Sequence, residues 1–253
     1  MGRPDASGTY PGIHVEYFDK THRYKVNGQY VPSVTTVLGV LDKPALPHWA
    51  ANMTIEGVCK LAKRRGSVPT DPKRLKDALR KHRLSHYFRT EDAQDRGTDV
   101  HQVWEDWNER KIMPKLEDYP EDRHPHLRAM AAFILVYAPE CLDTEMVVGS
   151  AKYGYAGRLD TVVTLKGLGG TLDLIDVKTG KAVYPNTMYP QLMAYEIARR
   201  ECGLPPTDRQ GILRLGADGL YELAWSDAEP DDFLSILACW RSQQKWKRRG
   251  KRR

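Results

Sequence analysis

Short runs of apolar residues alternating with polar ones occupy the middle of the chain, and stretches with helical spacing flank them. Arg158–Leu165 and Thr171–Val177 are apolar stretches separated by Gly167, Gly169 and Gly170, which predicts two β-strands joined by a tight turn. Thr144-Glu145-Met146-Val147-Val148 predicts a strand before them, and Gly211–Leu215 with Leu220–Trp225 predicts a later hairpin around Ala217-Asp218-Gly219. Upstream, Val100, Val103, Trp104 and Trp107 recur at helical spacing and form one apolar stripe. Gln191 and Tyr195, four apart, share a face of a second helix. The order is helix, three strands, helix, strand.

The N-terminal part predicts smaller pieces. Ile13–Phe18 and Arg23–Val31 read as short strands, the latter folded back at Asn27-Gly28. Pro32-Ser33-Val34 opens a helix with Ser33 as its cap, and Leu46–Ala62, with Trp49, continues as helix. Asp71-Pro72 starts a basic helix through Lys73–Arg89.

Two side chains carry the first chemical signal. Asp176 and Lys178, two apart on a strand, point the same way, and Asp160 on the paired strand can meet them. Two carboxylates and one ammonium at one point are costly unless a cation sits between the acids. Hard oxygen ligands suit Mg²⁺ or Mn²⁺, and the set suits hydrolysis of a phosphodiester. Asp-x-Lys alone is weak: Asp71-Pro72-Lys73 also matches, and a surface salt bridge on a hairpin would explain Asp176 and Lys178 equally.

Charge sharpens the reading. Residues 60–89 carry eleven Lys/Arg against two Asp, a net of +9, and residues 241–253 carry eight Lys/Arg and no acid, a net of +8. The chain totals +6, so the remainder is strongly acidic. Basic arms of this kind neutralise phosphates and release counterions. Arg80, Lys81, Arg83 and Arg89 on the basic helix, and Lys247, Arg248 and Arg249 in a tail expected to be disordered, are therefore candidate DNA contacts. At 253 residues and 41% hydrophobic content the chain can form one large domain, or one domain with an appendage. No apolar stretch approaches membrane-spanning length, and Met1-Gly2-Arg3-Pro4-Asp5 lacks the apolar core of a secretion signal, so a cytoplasmic location is expected. Cys59, Cys141, Cys202 and Cys239 are scattered, which indicates neither zinc nor disulfides.

With His101 on the first helix, Glu145, Asp160, Asp176-Val177-Lys178 and Gln191-x-x-x-Tyr195 in that order, residues 95–225 closely resemble the PD-(D/E)XK nuclease superfamily. The likeness is to its RecB-like exonuclease branch, which includes CRISPR-associated adaptation nucleases and the mitochondrial genome maintenance exonuclease. Residues 32–50 resemble the N-terminal region of phage-encoded members. The resemblance implies an α/β restriction-endonuclease-like core, a central mixed sheet flanked by helices in the order αβββαβ, with an N-terminal hairpin and a helical cap. Its expected divisions are 1–94, 95–240 and 241–253, in one continuous unit. It implies Asp160, Asp176 and the Val177 carbonyl as ligands of one or two Mg²⁺ or Mn²⁺ ions, with His101 as the imidazole ligand and Glu145 assisting. Lys178 would position or deprotonate the attacking water, and Gln191 and Tyr195 would orient that lysine and contact DNA.

The implied activity is a DNA exonuclease acting on single- or double-stranded ends in phage replication, recombination or repair, in the bacterial host cytoplasm. A helicase or a single-strand annealing or binding protein is the implied partner. Relatives with an iron–sulfur cluster have closely spaced cysteines near the end of the core; this chain departs from that pattern, and no cluster is expected. Two alternatives are a structure-selective endonuclease and an inactive nuclease fold that binds DNA. A nucleotide hydrolase lacks support, because Gly180-Lys181 is followed by Ala182 without the upstream glycine of a phosphate-binding loop.

Overall fold

The computed structural model describes residues 4–43 and 45–250. They fall into two units, one of residues 4–41 with 100–250 and the other of residues 42–99. Residues 1–94, expected as one N-terminal region, therefore belong to both.

The first unit opens with an antiparallel meander: β1 (Ala6–Tyr10), β2 (Ile13–Phe18), β3 (Arg23–Val26) and β4 (Gln29–Val31). Asn27 and Gly28 both have positive φ, 48° and 78°, as a two-residue hairpin turn requires. Ile13, Val15 and Tyr17 alternate inward along β2. The helix α1 (Val34–Leu38) follows, and the Ser33 hydroxyl accepts the Thr36 amide at 3.0 Å as its cap.

The second unit holds α2 (Ala45–Arg65), α3 (Pro72–Lys81) and the first part of α4 (His86–Arg110). Asp71 caps α3 by accepting the Arg74 amide at 2.8 Å. A side chain at Gly57 would put its Cβ 2.1 Å from the Leu84 carbonyl oxygen, so this approach of α2 to the chain before α4 requires glycine. Lys73–Arg89, expected as one helix, is two. The chain leaves helical geometry after Lys81 and passes through Arg83 at φ 52° before α4 begins.

The first unit resumes within α4 and continues with α5 (His124–Tyr137), β5 (Pro139–Ser150), β6 (Tyr155–Leu165), β7 (Leu172–Lys178), α6 (Pro185–Glu201), β8 (Arg209–Leu215), β9 (Tyr221–Trp225) and α7 (Pro230–Gly250). The five strands form one sheet in sequence order. All pairings are antiparallel except β7 with β8, which is parallel across the α6 connection. The architecture is α/β, a mixed sheet with helices on its faces. Val37, Leu159, Leu174, Leu192, Tyr195 and Phe233 share one core with the meander. Val100, Val103, Trp104, Phe133, Ile175, Val177 and Leu213 build the other. Buried on both faces, β7 reads as the continuous apolar run of a central strand.

Residues 246–250, expected to belong to a disordered tail, continue α7. Asp231 and Asp232 lie in its first turn and Lys247, Arg248 and Arg249 in its last, the polarity that the helix dipole favours. Lys251, Arg252 and Arg253 of that tail, and Met1, Gly2 and Arg3, lie outside the described residues. Among those described, no helix is long and apolar enough to cross a membrane.

Candidate metal centre

The site lies where β6 and β7 part. Their ladder ends at Thr161↔Ile175, one pair short of Asp160 and Asp176. The Asp160 carboxylate accepts the Val177 amide at 2.8 Å, so a side chain takes up a backbone donor where the ladder stops. On the other edge of β6, the register Thr144↔Thr161 and Met146↔Leu159 sets Glu145 across from Asp160. Glu145 has φ 50°, the left-handed region that residues other than glycine rarely occupy. His101 reaches the same point from α4, with Nδ1 3.5 Å from Asp160 Oδ2.

His101, Glu145 and Asp160 each offer one ligand atom, and these atoms lie within 4.8 Å of one another. Among the described residues, they are the set that does so. Glu145 thus stands nearer the centre than expected, and Asp176 is not part of the set. The Val177 amide holds Asp160 at this point. One imidazole and two carboxylates fit Mg²⁺ or Mn²⁺, the imidazole favouring Mn²⁺. The cost of crowding acids without a cation shows on Glu145. Burial first, and then the charge of Asp160, push its carboxyl up to about 7, against the opposing pull of Arg158 and His101.

Asp176 and Lys178 form an ion pair beside this set, Nζ on Oδ2. The Asp176 side chain is 2% exposed, so the pair is not the surface salt bridge of a hairpin. Burial first and then the Asp160 charge raise its pKa, and Lys178 opposes them. For Lys178, burial works to lower the pKa, but Asp176 and Asp160 outweigh it and the net direction is up. The paired carboxylates thus favour the ammonium form of Lys178.

Gln191 and Tyr195 complete the inner side. The Gln191 amide donates to Asp176 Oδ1 and to the Tyr195 hydroxyl, each at 3.1 Å. The expected grip on the lysine is thus indirect, through its carboxylate partner. Tyr195, expected to contact DNA, is 4% exposed and has little surface to offer. Gly157 makes room for it, since a Cβ there would lie 2.5 Å from the tyrosine ring and 3.1 Å from Val34.

Arg158, to which the sequence motifs assign no role, joins the site. Its Nε lies 2.6 Å from Glu145 Oε2, and its guanidinium carbon 5.4 Å from the centre of the Tyr17 ring. Two residues before Asp160 on one strand, it shares that face, which spacing signals, while its pairing with Glu145 across the sheet is not signalled.

The basic candidates lie apart from one another in the chain and in role. In the second unit, Arg80 lines a groove of about 1060 Å³ with Leu75, Leu79, Tyr87 and Phe88. Arg83 is engaged by Glu91 and Asp92 and stacks on Phe88 at 4.5 Å, so part of its charge is already answered. Lys81 and Arg89 are exposed. In the first unit, Lys247, Arg248 and Arg249 are exposed on the last turn of α7, with Arg249 over Trp246 at 5.0 Å.

No family model matches the chain, and no curated protein does. Among solved structures, one described as "Crystal structure of SSO0001" is 12% identical, covering 47% of this chain and 57% of that one, with a TM-score of 0.30. The match spans under two thirds of the other chain, and a likeness this slight carries no argument.

Proposed function

We propose that this chain is a divalent-cation-dependent deoxyribonuclease with a restriction-endonuclease-like core, an exonuclease that hydrolyses phosphodiester bonds at DNA ends. The observation that carries the reading is the convergence of His101, Glu145 and Asp160 within 4.8 Å, beside the buried Asp176–Lys178 pair. A lone acidic cluster is common on protein surfaces. An imidazole, two carboxylates and a charged lysine gathered where two core strands part is a combination with a use.

His101, Glu145 and Asp160 would hold Mg²⁺ or Mn²⁺, which when bound lowers the pKa of a water and offsets the charge of in-line attack on phosphorus. The Val177 amide keeps Asp160 aimed at that point. Lys178, held charged by Asp176, donates toward the phosphate oxygens and stabilises charge that develops there. Gln191 fixes Asp176, and Tyr195 fixes Gln191, so the lysine is positioned by a chain of hydrogen bonds reaching into the core. Phosphoryl transfer depends mainly on such positioning and electrostatics, and a few fixed side chains suffice.

The exonuclease assignment, the role in phage DNA replication, recombination or repair, the host cytoplasm, and a helicase or single-strand annealing or binding partner all rest on the resemblance of residues 95–225. The test is incubation of the purified chain with Mg²⁺ or Mn²⁺ and DNA labelled at the 5′ or 3′ end, linear and circular, single- and double-stranded. Loss of linear DNA from its ends with circles spared is the expected result. Cleaved circles would make the chain an endonuclease, and intact DNA throughout would remove the nuclease reading.

A further inference from the structure

Glu145 has two claims on it. Its Oε2 lies 2.6 Å from Arg158 Nε, yet the same carboxylate belongs to the triad with His101 and Asp160. The arginine side chain is 42% exposed and the glutamate 20%, so the guanidinium reaches from a sheltered acid toward solvent. Arg158 and Asp160 leave the same face of β6. As a stability device the pair is a poor one, because a half-exposed ion pair contributes little. It also employs a residue held at φ 50°, a backbone state that costs free energy by itself.

With a dication held by the triad, Glu145 would be shared between that compact double charge and the guanidinium, to the guanidinium's disadvantage. Arg158 then loses part of the charge that neutralises it. A guanidinium remains protonated under all ordinary conditions and presents parallel N–H groups that match two oxygens of one phosphate. The Tyr17 ring, 5.4 Å away, supports the cation without neutralising it.

We propose that Arg158 is the phosphate-positioning residue of this site, held by Glu145 until a cation binds and then gripping the non-bridging oxygens of the phosphodiester beside it. The identity of the substrate rests on the nuclease reading; the competition for Glu145 does not. Cation binding and substrate grip are thereby linked, so that the site acquires its anion-binding arm only when it is loaded.

The test uses the full chain with Arg158→Ala and Arg158→Lys, each checked for a normal thermal melt. Without DNA, Mn²⁺ binding followed by electron paramagnetic resonance should be several-fold tighter in Arg158→Ala, since Glu145 has lost its competitor. With a short DNA duplex and Ca²⁺ as a cation to hold the complex, the wild type should gain affinity on Ca²⁺ addition, and Arg158→Ala should lose most of that gain. With Mn²⁺, kcat of Arg158→Ala should fall by about 100-fold, the scale of losing one donor to developing charge. Arg158→Lys should recover part of it, having the charge but not the fork.

If the wild type cleaves and Arg158→Ala has the same kcat, the positioning role is overturned while the nuclease reading stands. If the wild type does not cleave, the nuclease reading falls, and the duplex titration decides Arg158: an undiminished Ca²⁺-dependent gain in Arg158→Ala overturns the grip. Unchanged or weaker Mn²⁺ binding in that variant overturns the competition for Glu145. Should Arg158→Ala fail to fold, the same titrations on Arg158→Lys carry the test, with a reduced Ca²⁺-dependent gain expected and an unchanged one overturning the proposal.

Discussion

Asp160 gains its aim from the Val177 amide, and Asp176 from the Gln191 amide, so two acids with one ordinary side chain each end in distinct environments. At this scale the sequence was informative where spacing fixes direction: Asp176 and Lys178, two apart on β7, do form a pair. It was silent where direction depends on a partner across the sheet. Arg158 is adjacent to Gly157 and near Asp160 in the chain, but its partner Glu145 is thirteen positions away, on the neighbouring strand. The burial of Tyr195 was equally hidden, because it depends on the missing side chain of Gly157. Gly157→Ala should therefore push the ring off Gln191, destabilise the fold by about 1–3 kcal/mol and lower activity; urea unfolding with cleavage assays checks both, and wild-type stability would show that the ring has room to spare. The cysteines offer an independent check on the placement of residues. Burial drives the Cys141 thiol up to about 11 and raises that of buried Cys202, which disfavours the reactive thiolate in both. Iodoacetamide should modify exposed Cys59 and Cys239 in the folded chain, with Cys141 and Cys202 labelled only after denaturation, as read by mass spectrometry.

Elements were legible in proportion to how cleanly one face is buried. The strands β6, β7, β8 and β9 and the helix carrying Gln191 follow the expected positions closely, since each has an apolar pattern set by one or two buried faces. The strand β1, with Ala6-Ser7-Gly8-Thr9-Tyr10, was missed because it has almost no apolar contrast to read. The helix α5 was missed because Leu135 and Val136, 84% and 56% exposed, blur its stripe. The ends of elements depended on local chemistry: Asp71 marked the start of α3 correctly, while the break after Lys81 had no proline or glycine to signal it. Loss of the Asp71 cap in Asp71→Ala should cost about 1 kcal/mol of the second unit's stability. Amide exchange across residues 72–81 would detect it as faster opening of α3, with little change in β5–β8.

The whole chain divides unevenly, and its charge with it. Between residues 42 and 99 only Leu61 and Leu79 are buried apolar side chains among the described residues, whereas the sheet unit has two extended cores. A segment with so little buried surface opens at lower free energy. Amide exchange should be faster throughout 42–99 than in β6–β8, and equal protection would mean that the second unit is stabilised by something besides its own core. The charge asymmetry predicts a different effect. Removing residues 245–253 deletes seven positive charges distant in sequence from the triad. DNA affinity should weaken uniformly across sequences and its salt dependence become shallower by up to about one unit per lost contact, while the saturated rate hardly changes. In the proposed mechanism His101, Glu145 and Asp160 would hold a cation that Lys178 cannot replace. Its most direct test is Mn²⁺ affinity measured beside DNA cleavage in the wild type, Asp160→Asn and Lys178→Ala. Binding and cleavage are expected in the wild type, loss of both in Asp160→Asn, and binding without cleavage in Lys178→Ala. Full cleavage by the wild type in excess chelator, or a near-normal rate in Asp160→Asn, would contradict it.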